Sequence, residues 1–260
     1  MRQTLRGRRF LGFSGQALRF WGLLLLGMGV AGQSLIQNGA LHMGSVSLTE
    51  LTETLESSEV LMSLAATSLI MQAVQSCAVP IFVFLLVEGF HQTSDFPKYL
   101  LRVFCLALVC ELPYNLAVSG HLWAPESRNP VFAMALALVL MFFLKNYSER
   151  SAKSILSQAA VVLASLLWVF LLKVVDGGTI LLLTAALWIF WEKPVGRLLA
   201  GTAVLLLCGA LNLPNIIAPL GLVLVHFYNG EQGGGKRVLN YLYYPLMLLV
   251  FAGIAWLISR

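Results

Sequence analysis

The chain has 260 residues, of which 58% are hydrophobic and 11% are charged, and its mean hydropathy is +0.82. A soluble domain of this size carries about twice that charged fraction, so the composition excludes a soluble protein and indicates an integral membrane protein. The net charge of +5 is explained by lysine and arginine near the ends of membrane spans, and we expect no nucleic-acid partner.

Apolar stretches near the roughly 20 residues that cross a bilayer as a helix recur along the whole sequence. We predict an all-α, polytopic membrane bundle of about nine transmembrane helices that forms one domain, 1–260. The predicted spans are, in chain order, 18–36, 64–90, 98–119, 129–145, 154–172, 178–192, 196–211, 214–228 and 239–258.

Basic residues predict the orientation of these spans, because lysine and arginine concentrate on the cytoplasmic side. If the chain starts inside, 14 of the 17 basic residues lie inside, and the three outside are Arg128, Lys173 and Arg260. The prediction is therefore N-in and C-out, with a basic cytoplasmic N-terminus at 1–17. We expect the inner charges to face anionic membrane lipids.

The longest polar interruption, 38–63, is predicted to lie outside and is acidic. Its glutamates recur at three-residue intervals and its leucines at helical spacing, which fits either a solvated acidic loop or a short amphipathic helix on the outer surface. The four cysteines fall inside predicted spans, with no disulfide or metal-ligand spacing, and we expect no metal site.

The turn "EGFHQTSDFPKYLLR" concentrates ionisable side chains at the predicted cytoplasmic end of two spans. Glu88 or His91 is a candidate for proton transfer, while Lys98 and Arg102 are candidates for binding an anionic group. The alternative is a charged turn that only fixes the depth of the helices in the membrane. Charges within spans are costly, so we expect Glu88 and Arg102 to face the protein interior.

Glu111 lies nine residues beyond Arg102, about 13 Å deeper along a helix. In "CELPYNLA", Pro113 frees a backbone carbonyl and Asn115 adds a polar group, which is typical of a helix that lines a cavity. We expect Glu111 to face the interior, either at a reaction cavity or in a structural pair with Arg128.

The stretch "YNGEQGGGKR" at 228–237 nearly fits the phosphate-binding loop of nucleotide hydrolases. Arg237 occupies the position of the serine or threonine that binds magnesium, and the loop follows a membrane helix instead of a strand, so a nucleotide hydrolase is excluded. A basic cytoplasmic loop remains, in which Lys236 is a candidate for contacting the phosphates of a cofactor.

The stretch "VPIFVFLLVEGFHQTSDFPKYLLRVFCLALVCELPYNLAVSG", followed by "RNPVF", resembles the centre of the TraX family, bacterial membrane proteins named for the F-pilin N-acetylase of conjugative plasmids. The resemblance implies a multi-pass protein of the bacterial cytoplasmic membrane that transfers acetyl or another acyl group from cytoplasmic acyl-CoA. It implies a peptide amine or a glycan hydroxyl as the acceptor.

The chain departs from the family at two positions where a general base is expected. Ala31 and Gly32 replace an aspartate–histidine pair, and Met247 replaces a C-terminal histidine. Glu88 or His91 is therefore the expected general base in this chain. The alternative is a catalytically inactive relative that acts as a membrane scaffold; a transporter is less favoured, because no inverted repeat with broken helices is visible.

These considerations assign three groups of candidate site residues. The catalytic candidates are Glu88, His91 and Glu111, the acyl-CoA-binding candidates are Lys98, Arg102 and Lys236, and the substrate-cavity candidates are Asn115, Arg128 and Asn129.

Overall fold

The computed structural model describes residues 12–42, 58–147, 151–234 and 237–260, the last range without the side chains of 237–240. These residues form an all-helical structure in which no strand occurs. The helices are α1 (Gly15–Ala31), α2 (Glu59–Ser76), α3 (Ala78–Gln92), α4 (Phe96–Ser119), α5 (Val131–Asn146), α6 (Ala152–Leu171), α7 (Gly177–Ile189), α8 (Pro194–Leu211), α9 (Leu220–His226) and α10 (Arg237–Ile258). A π-helical segment (Gly32–Ala40) extends α1, and a 3-10 helix (Leu213–Ile217) precedes α9.

Within the described part of the chain, six helical segments are long and apolar enough to cross a membrane, namely Gly15–Ala40, Glu59–Gln92, Phe96–Ser119, Ala152–Leu171, Pro194–Leu211 and Tyr241–Ile258. Three shorter apolar helices accompany them, Val131–Asn146, Gly177–Ile189 and Leu213–His226. Each predicted span overlaps one of these nine segments, and the prediction of an all-α membrane protein is confirmed. The crossing of the membrane by the shorter helices and the N-in, C-out orientation stay predictions.

Two predicted surface segments fall largely outside the described residues. Residues 1–11 of the basic N-terminus and residues 43–57 of the acidic loop are not among the described residues.

Helix α3 occupies the centre of the bundle. It packs against α1, α5, α7 and α9, and most of its residues are buried. By contrast, α6 lies at the periphery, where only Ser154 and Val169 are buried. Of the polar residues in the last two turns of α3, Glu88 is buried within the bundle, whereas His91 and Gln92 are exposed at the end of the helix.

The second predicted span, 64–90, is broken into α2 and α3 at Cys77. Pro80 explains the break, because proline has no N–H to donate to the carbonyl of Ser76 and its ring crowds that carbonyl. The thiol of Cys77 donates to the carbonyl of Ile217, 3.3 Å away. This hydrogen bond anchors the 3-10 helix against the centre of the bundle.

Glycines bring α1 and α2 into close contact. A Cβ atom on Gly29 would lie 2.3 Å from Cβ of Gln75, and one on Gly32 would lie 3.0 Å from Cβ of Met71. Small residues allow this approach, which is a common way for helices to pack in a membrane, where van der Waals contact drives their association.

Four of the helix starts that the structure describes have side-chain caps. Ser14, Ser58, Asp95 and Ser151 each accept a hydrogen bond from the backbone N–H three residues later. Such caps satisfy one of the unpaired amides in the first turn of a helix.

The ends of the helices meet in two sets of connections, which define two ends of the bundle. At the Glu88 end, Phe13 pairs with Tyr228 through the backbone; at the Glu111 end, Arg128 pairs with Val174. The described connections at the Glu88 end include 12–15, 92–96, 189–194 and 226–234, and those at the Glu111 end include 119–131, 171–177 and 211–217.

Candidate active site

Glu88 is a buried carboxylate near the C-terminal end of α3, and its residue is 7% exposed. Its Oε1 atom accepts a hydrogen bond from Nε2 of Gln92 at 2.9 Å and another from the hydroxyl of Tyr228. The Oε1 atom of Gln92 in turn accepts from Nε2 of Gln232. We call these four residues the Glu88 centre, in which neutral donors hold a carboxylate out of solvent.

Backbone hydrogen bonds bring the C-terminal members of the Glu88 centre into place. The N–H of Phe13 donates to Phe227 at 2.9 Å, and the N–H of Asn229 donates back to Phe13 at 3.0 Å. The N–H of Gly15 donates to Glu231 at 2.7 Å. The segment that resembles a phosphate-binding loop is therefore fastened to the start of α1. Its Lys236 lies outside the described residues.

Two arginines lie close enough to Glu88 to interact with it electrostatically, namely Arg19 and Arg197. The guanidinium of Arg197 also lies over two aromatic rings, 5.0 Å from the centre of Phe84 and 5.1 Å from that of Trp191. Such cation–π contacts hold a partly desolvated guanidinium in place. Arg197 and Tyr228 were not among the predicted site residues, since nothing in their spacing relates them to Glu88.

His91 is clamped between two tryptophans at the end of α7. Its ring centre lies 4.8 Å from that of Trp188 and 4.7 Å from that of Trp191, with interplanar angles of 15° in both cases. Stacked contacts continue from Trp191 to Phe84 at 5.5 Å. His91 is therefore connected to the Glu88 centre through rings, and the structure shows no hydrogen bond from it to Glu88 among the described residues.

The predicted acyl-CoA-binding residues lie at the start of α4. Lys98 forms an ion pair with Asp95 at 2.7 Å, and Asp95 also caps α4. These interactions with Lys98 hold the pKa of Asp95 below its ordinary value. Both ions are exposed, so the pair leaves Lys98 accessible to a ligand.

The expectation that Arg102 faces the interior is wrong, because this residue is exposed. Its neighbours on α4, Leu101 and Phe104, are also exposed, so this part of the helix faces the surroundings of the bundle. A long arginine side chain near the end of a span reaches the interface with its charge while its stem covers apolar surface. Arg102 and Lys98 still lie at the same end as Glu88.

Glu111 is bonded on both oxygens. Oε1 accepts from Nη1 of Arg128 at 2.9 Å, and Oε2 accepts from Nδ2 of Asn129 at 2.6 Å and from the Asn129 N–H at 3.3 Å. Asn129 also donates to the carbonyl of Ala107 at 2.9 Å. This Glu111 centre, consisting of Glu111, Arg128 and Asn129, has the form of the structural pair that was one of the two interpretations.

Asn115 does not join the Glu111 centre through a hydrogen bond. Its Nδ2 atom lies 3.5 Å from the carbonyl of Leu122, and its buried Oδ1 atom has no partner among the described residues. Of the three predicted substrate-cavity residues, the structure thus joins Arg128 and Asn129 and leaves Asn115 apart.

The three predicted catalytic residues lie in two places. Tyr99 packs on the backbone of Leu86 and against Gly89, which sets the start of α4 beside the end of α3. Glu111 follows Tyr99 by twelve residues, which is about 18 Å along a helix. Glu88 and Glu111 therefore cannot act on the same atom of a bound substrate.

A further carboxylate at the Glu111 end was not among the predicted site residues. Asp176 has a left-handed backbone with φ of 52°, and its Oδ1 accepts from Nδ2 of Asn215 at 2.8 Å. Burial raises the pKa of Asp176, and the hydrogen bond from Asn215 opposes that effect. The sequence signals were an aspartate before two glycines and a weak similarity to the TraX family at this position.

The positions that depart from the expected general bases are closely packed. A Cβ atom on Gly32 would lie 3.1 Å from the carbonyl oxygen of Ser68, in addition to its contact with Met71. Met247 lies beside α1, since a Cβ atom on Gly27 would be 3.2 Å from its sulfur. Helix α2 therefore fills the space beside Gly32, and the side chain of Met247 itself fills the space beside Gly27.

The geometry defines a polytopic, all-helical membrane protein with buried carboxylates toward both ends of its bundle. The chain belongs to the TraX family, because a family profile described as "TraX protein" matches residues 51–255, more than three quarters of the 260 residues. The match includes Glu88, Glu111 and Tyr228, and it excludes Ala31 and Gly32. No curated protein and no solved structure matches the chain.

Proposed function

We propose that the protein is an acyltransferase of the bacterial cytoplasmic membrane, which moves acetyl or a related acyl group from cytoplasmic acyl-CoA to a peptide amine or a glycan hydroxyl. Membership in the TraX family supports the class of protein. The observation that carries the proposal is the Glu88 centre, where a carboxylate is buried without a direct ion pair among the described residues. Such a carboxylate suits proton transfer better than one neutralised by arginine.

Glu88 takes the proton of the acceptor as the amine or hydroxyl attacks the thioester carbonyl. A bond forms between the acyl carbon and the acceptor nitrogen or oxygen, and the carbon–sulfur bond breaks. The sulfur leaves as the coenzyme A thiolate and recovers the proton from Glu88. Tyr228 and Gln92 hold the carboxylate in position through this exchange, because both donate to Oε1.

Cations at the Glu88 end of the bundle bind the phosphates of acyl-CoA. Lys98 and Arg102 are exposed beside the α3–α4 connection, and Arg197 is held over aromatic rings close to Glu88. Guanidinium groups bind phosphate with charge-assisted hydrogen bonds, which are about twice as strong as neutral ones. This arrangement requires the Glu88 end to face the cytoplasm, where acyl-CoA is found.

The test is transfer of a labelled acetyl group from acetyl-CoA in proteoliposomes, with a peptide that has a free amino terminus and a glycan as acceptors. Glu88→Gln keeps the shape and an oxygen acceptor for Tyr228 but takes no proton, so we expect turnover to fall about 100-fold. Binding of acetyl-CoA is expected to stay near that of the wild type. Glu192→Gln is the control, because Glu192 is an exposed carboxylate at the same end.

The second candidate function is a catalytically inactive membrane scaffold. The close packing of Gly32 against α2 favours it, because a larger side chain at this position would require α2 to shift. Saturable binding of acetyl-CoA to the purified protein in nanodiscs separates the two functions. The enzyme binds it, and a scaffold that retains the fold does not.

A further inference from the structure

Helix α6 is attached to the bundle near its two ends. At the first end, the hydroxyl of Ser154 donates to the carbonyl of Tyr147 at 2.7 Å, and Gln158 donates to the same carbonyl. At the other end, Val169 is 1% exposed and packs against Gly177, where a Cβ atom would lie 2.0 Å from Cγ1 of Val169. Between these points α6 packs on α5 and α7 through half-buried side chains such as Val161 and Val162, and no further residue of the helix is buried.

A groove lies between these attachment points. It has a volume of about 430 Å³ and is lined almost entirely by apolar side chains of α5, α6 and α7, among them Leu144, Ala159, Val162, Leu166, Leu182 and Ile189. An apolar chain lying in this open groove would gain van der Waals contacts with its lining atoms. The groove therefore suits an apolar occupant.

The length of the groove matches one leaflet of a bilayer. From residue 155 to residue 166, α6 rises about 17 Å, and half of a hydrocarbon core is about 15 Å thick. The side chains of Ile155 and Leu163 at its rim are 63% and 66% exposed, so the groove opens toward the lipid. These dimensions suit one acyl chain lying along α6.

A polar pocket adjoins the groove at the Glu88 end. It has a volume of about 220 Å³ and is lined by Asn146, Tyr147, Ser151, Lys153, Ser154 and Ser157. The carbonyl of Tyr147 links the two, since Gln158, which lines the groove, donates to it. Lys153 is exposed and forms no ion pair with another described residue, so the pocket presents a cation and several hydroxyl groups.

We propose that the groove and the polar pocket together form a binding site for one anionic phospholipid. An acyl chain fills the groove along α6, and the phosphate lies in the pocket between Lys153 and the serine hydroxyls. The positive charge selects an anionic headgroup over a zwitterionic one, because a lysine at the membrane surface attracts anionic lipid. The site is separate from the Glu88 centre, and its occupancy does not depend on acyl transfer.

The test is native mass spectrometry of the full chain released from nanodiscs that contain phosphatidylglycerol and phosphatidylcholine with identical acyl chains. One phosphatidylglycerol is expected to stay bound. Ala159→Phe fills the groove and should lower its retention at least about tenfold, since losing the contacts of two methylene groups already has that effect. Ala160→Phe is the matched control, because Ala160 is equally exposed on α6 but does not line the groove.

Lys153→Gln should reduce the preference for phosphatidylglycerol about fivefold, as expected for one lysine near the membrane surface. Lys193→Gln, an exposed lysine outside the pocket, should leave it unchanged. Leu163→Trp and Leu167→Trp repeat the comparison inside and outside the groove if a phenylalanine variant fails to fold. Equal retention in each pair, equal retention of both lipids, or a dimer that Ala159→Phe dissociates would overturn the proposal.

Discussion

The carboxylate of Glu111 holds together the middle of α4 and the chain that enters α5. Its two oxygens accept three hydrogen bonds, and all three donors belong to Arg128 and Asn129. Arg128 in turn pairs with Val174 in the connection between α6 and α7. A carboxylate with this many partners stabilises the fold.

We predict that Glu111→Gln destabilises the protein by about 1–3 kcal/mol, because the new NH₂ group faces a donor of Arg128 or Asn129 and leaves it unpaired. The measurement is thermal unfolding in detergent. Glu126→Gln is the control, since Glu126 is exposed at the same end, and its effect should stay within about 0.5 kcal/mol.

The same variant separates the structural role of Glu111 from a catalytic one. Turnover per folded molecule is expected to match that of the wild type. A loss of turnover in protein that retains its unfolding temperature would contradict the structural role. A further check is the double variant Glu111→Gln/Arg128→Gln. Its loss of stability should be well below the sum of the losses in the two single variants, because each change breaks the same ion pair.

The packing of α1 on α2 depends on glycine at the contact. Gly29 faces Gln75 so closely that an added methyl group cannot be accommodated without a shift of the backbone or of the glutamine. Glycine is unfavourable for a helix by itself, so its presence there has a packing reason.

We predict that Gly29→Ala lowers the free energy of unfolding by about 1–3 kcal/mol, as overpacking of a close contact usually does. Gly253→Ala is the matched control in α10, where no atom lies within 4 Å of the added Cβ. That change should leave stability unchanged or raise it by up to about 1 kcal/mol through helix propensity. An increase in stability for both variants would show that the contact between α1 and α2 is not tight.

Hydrophobicity and length predicted the helices well, because a helix of apolar residues is the simplest way to satisfy backbone groups in lipid. They did not predict the π-helical segment Gly32–Ala40 or the break at Cys77. Both depend on tertiary contacts: Asn38 on the π-helical segment donates to the carbonyls of Ala117 and Val118, and Cys77 donates to Ile217. Such contacts join distant parts of the chain and have no local pattern.

For the molecule as a whole, the burial of charged residues could be predicted from the sequence more reliably than the residues that they contact. Glu88 and Glu111 were expected inside because a lipid-facing charge is costly. The partner of Glu88 lies 140 residues further along the chain, at Tyr228. No periodicity relates the two residues, so only the fold could identify the centre. Arg102 was placed wrongly, because the same cost is avoided near the end of a span by a long side chain that reaches the interface.

The distribution of charge between the two ends supports the predicted orientation. The three basic residues assigned to the outside lie at the Glu111 end, where Arg128 and Lys173 are joined through the backbone. The other basic residues whose side chains are described belong to the Glu88 end, namely Arg19, Lys98, Arg102, Lys145, Lys153, Lys193 and Arg197. Because lysine and arginine concentrate on the cytoplasmic side, the Glu88 end is expected to face the cytoplasm.

We predict that reporters fused after Asp95 and after Arg260 lie on opposite sides of the membrane. A fluorescent protein that matures only in the cytoplasm should be active after Asp95, and alkaline phosphatase, which requires the oxidising exterior, should be active after His42 and after Arg260. The reverse pattern would place Glu88 outside, away from acyl-CoA. It would contradict both the orientation and the proposed acyl transfer, whereas the site along α6 would remain, since it would then face the outer leaflet and take a phospholipid from there.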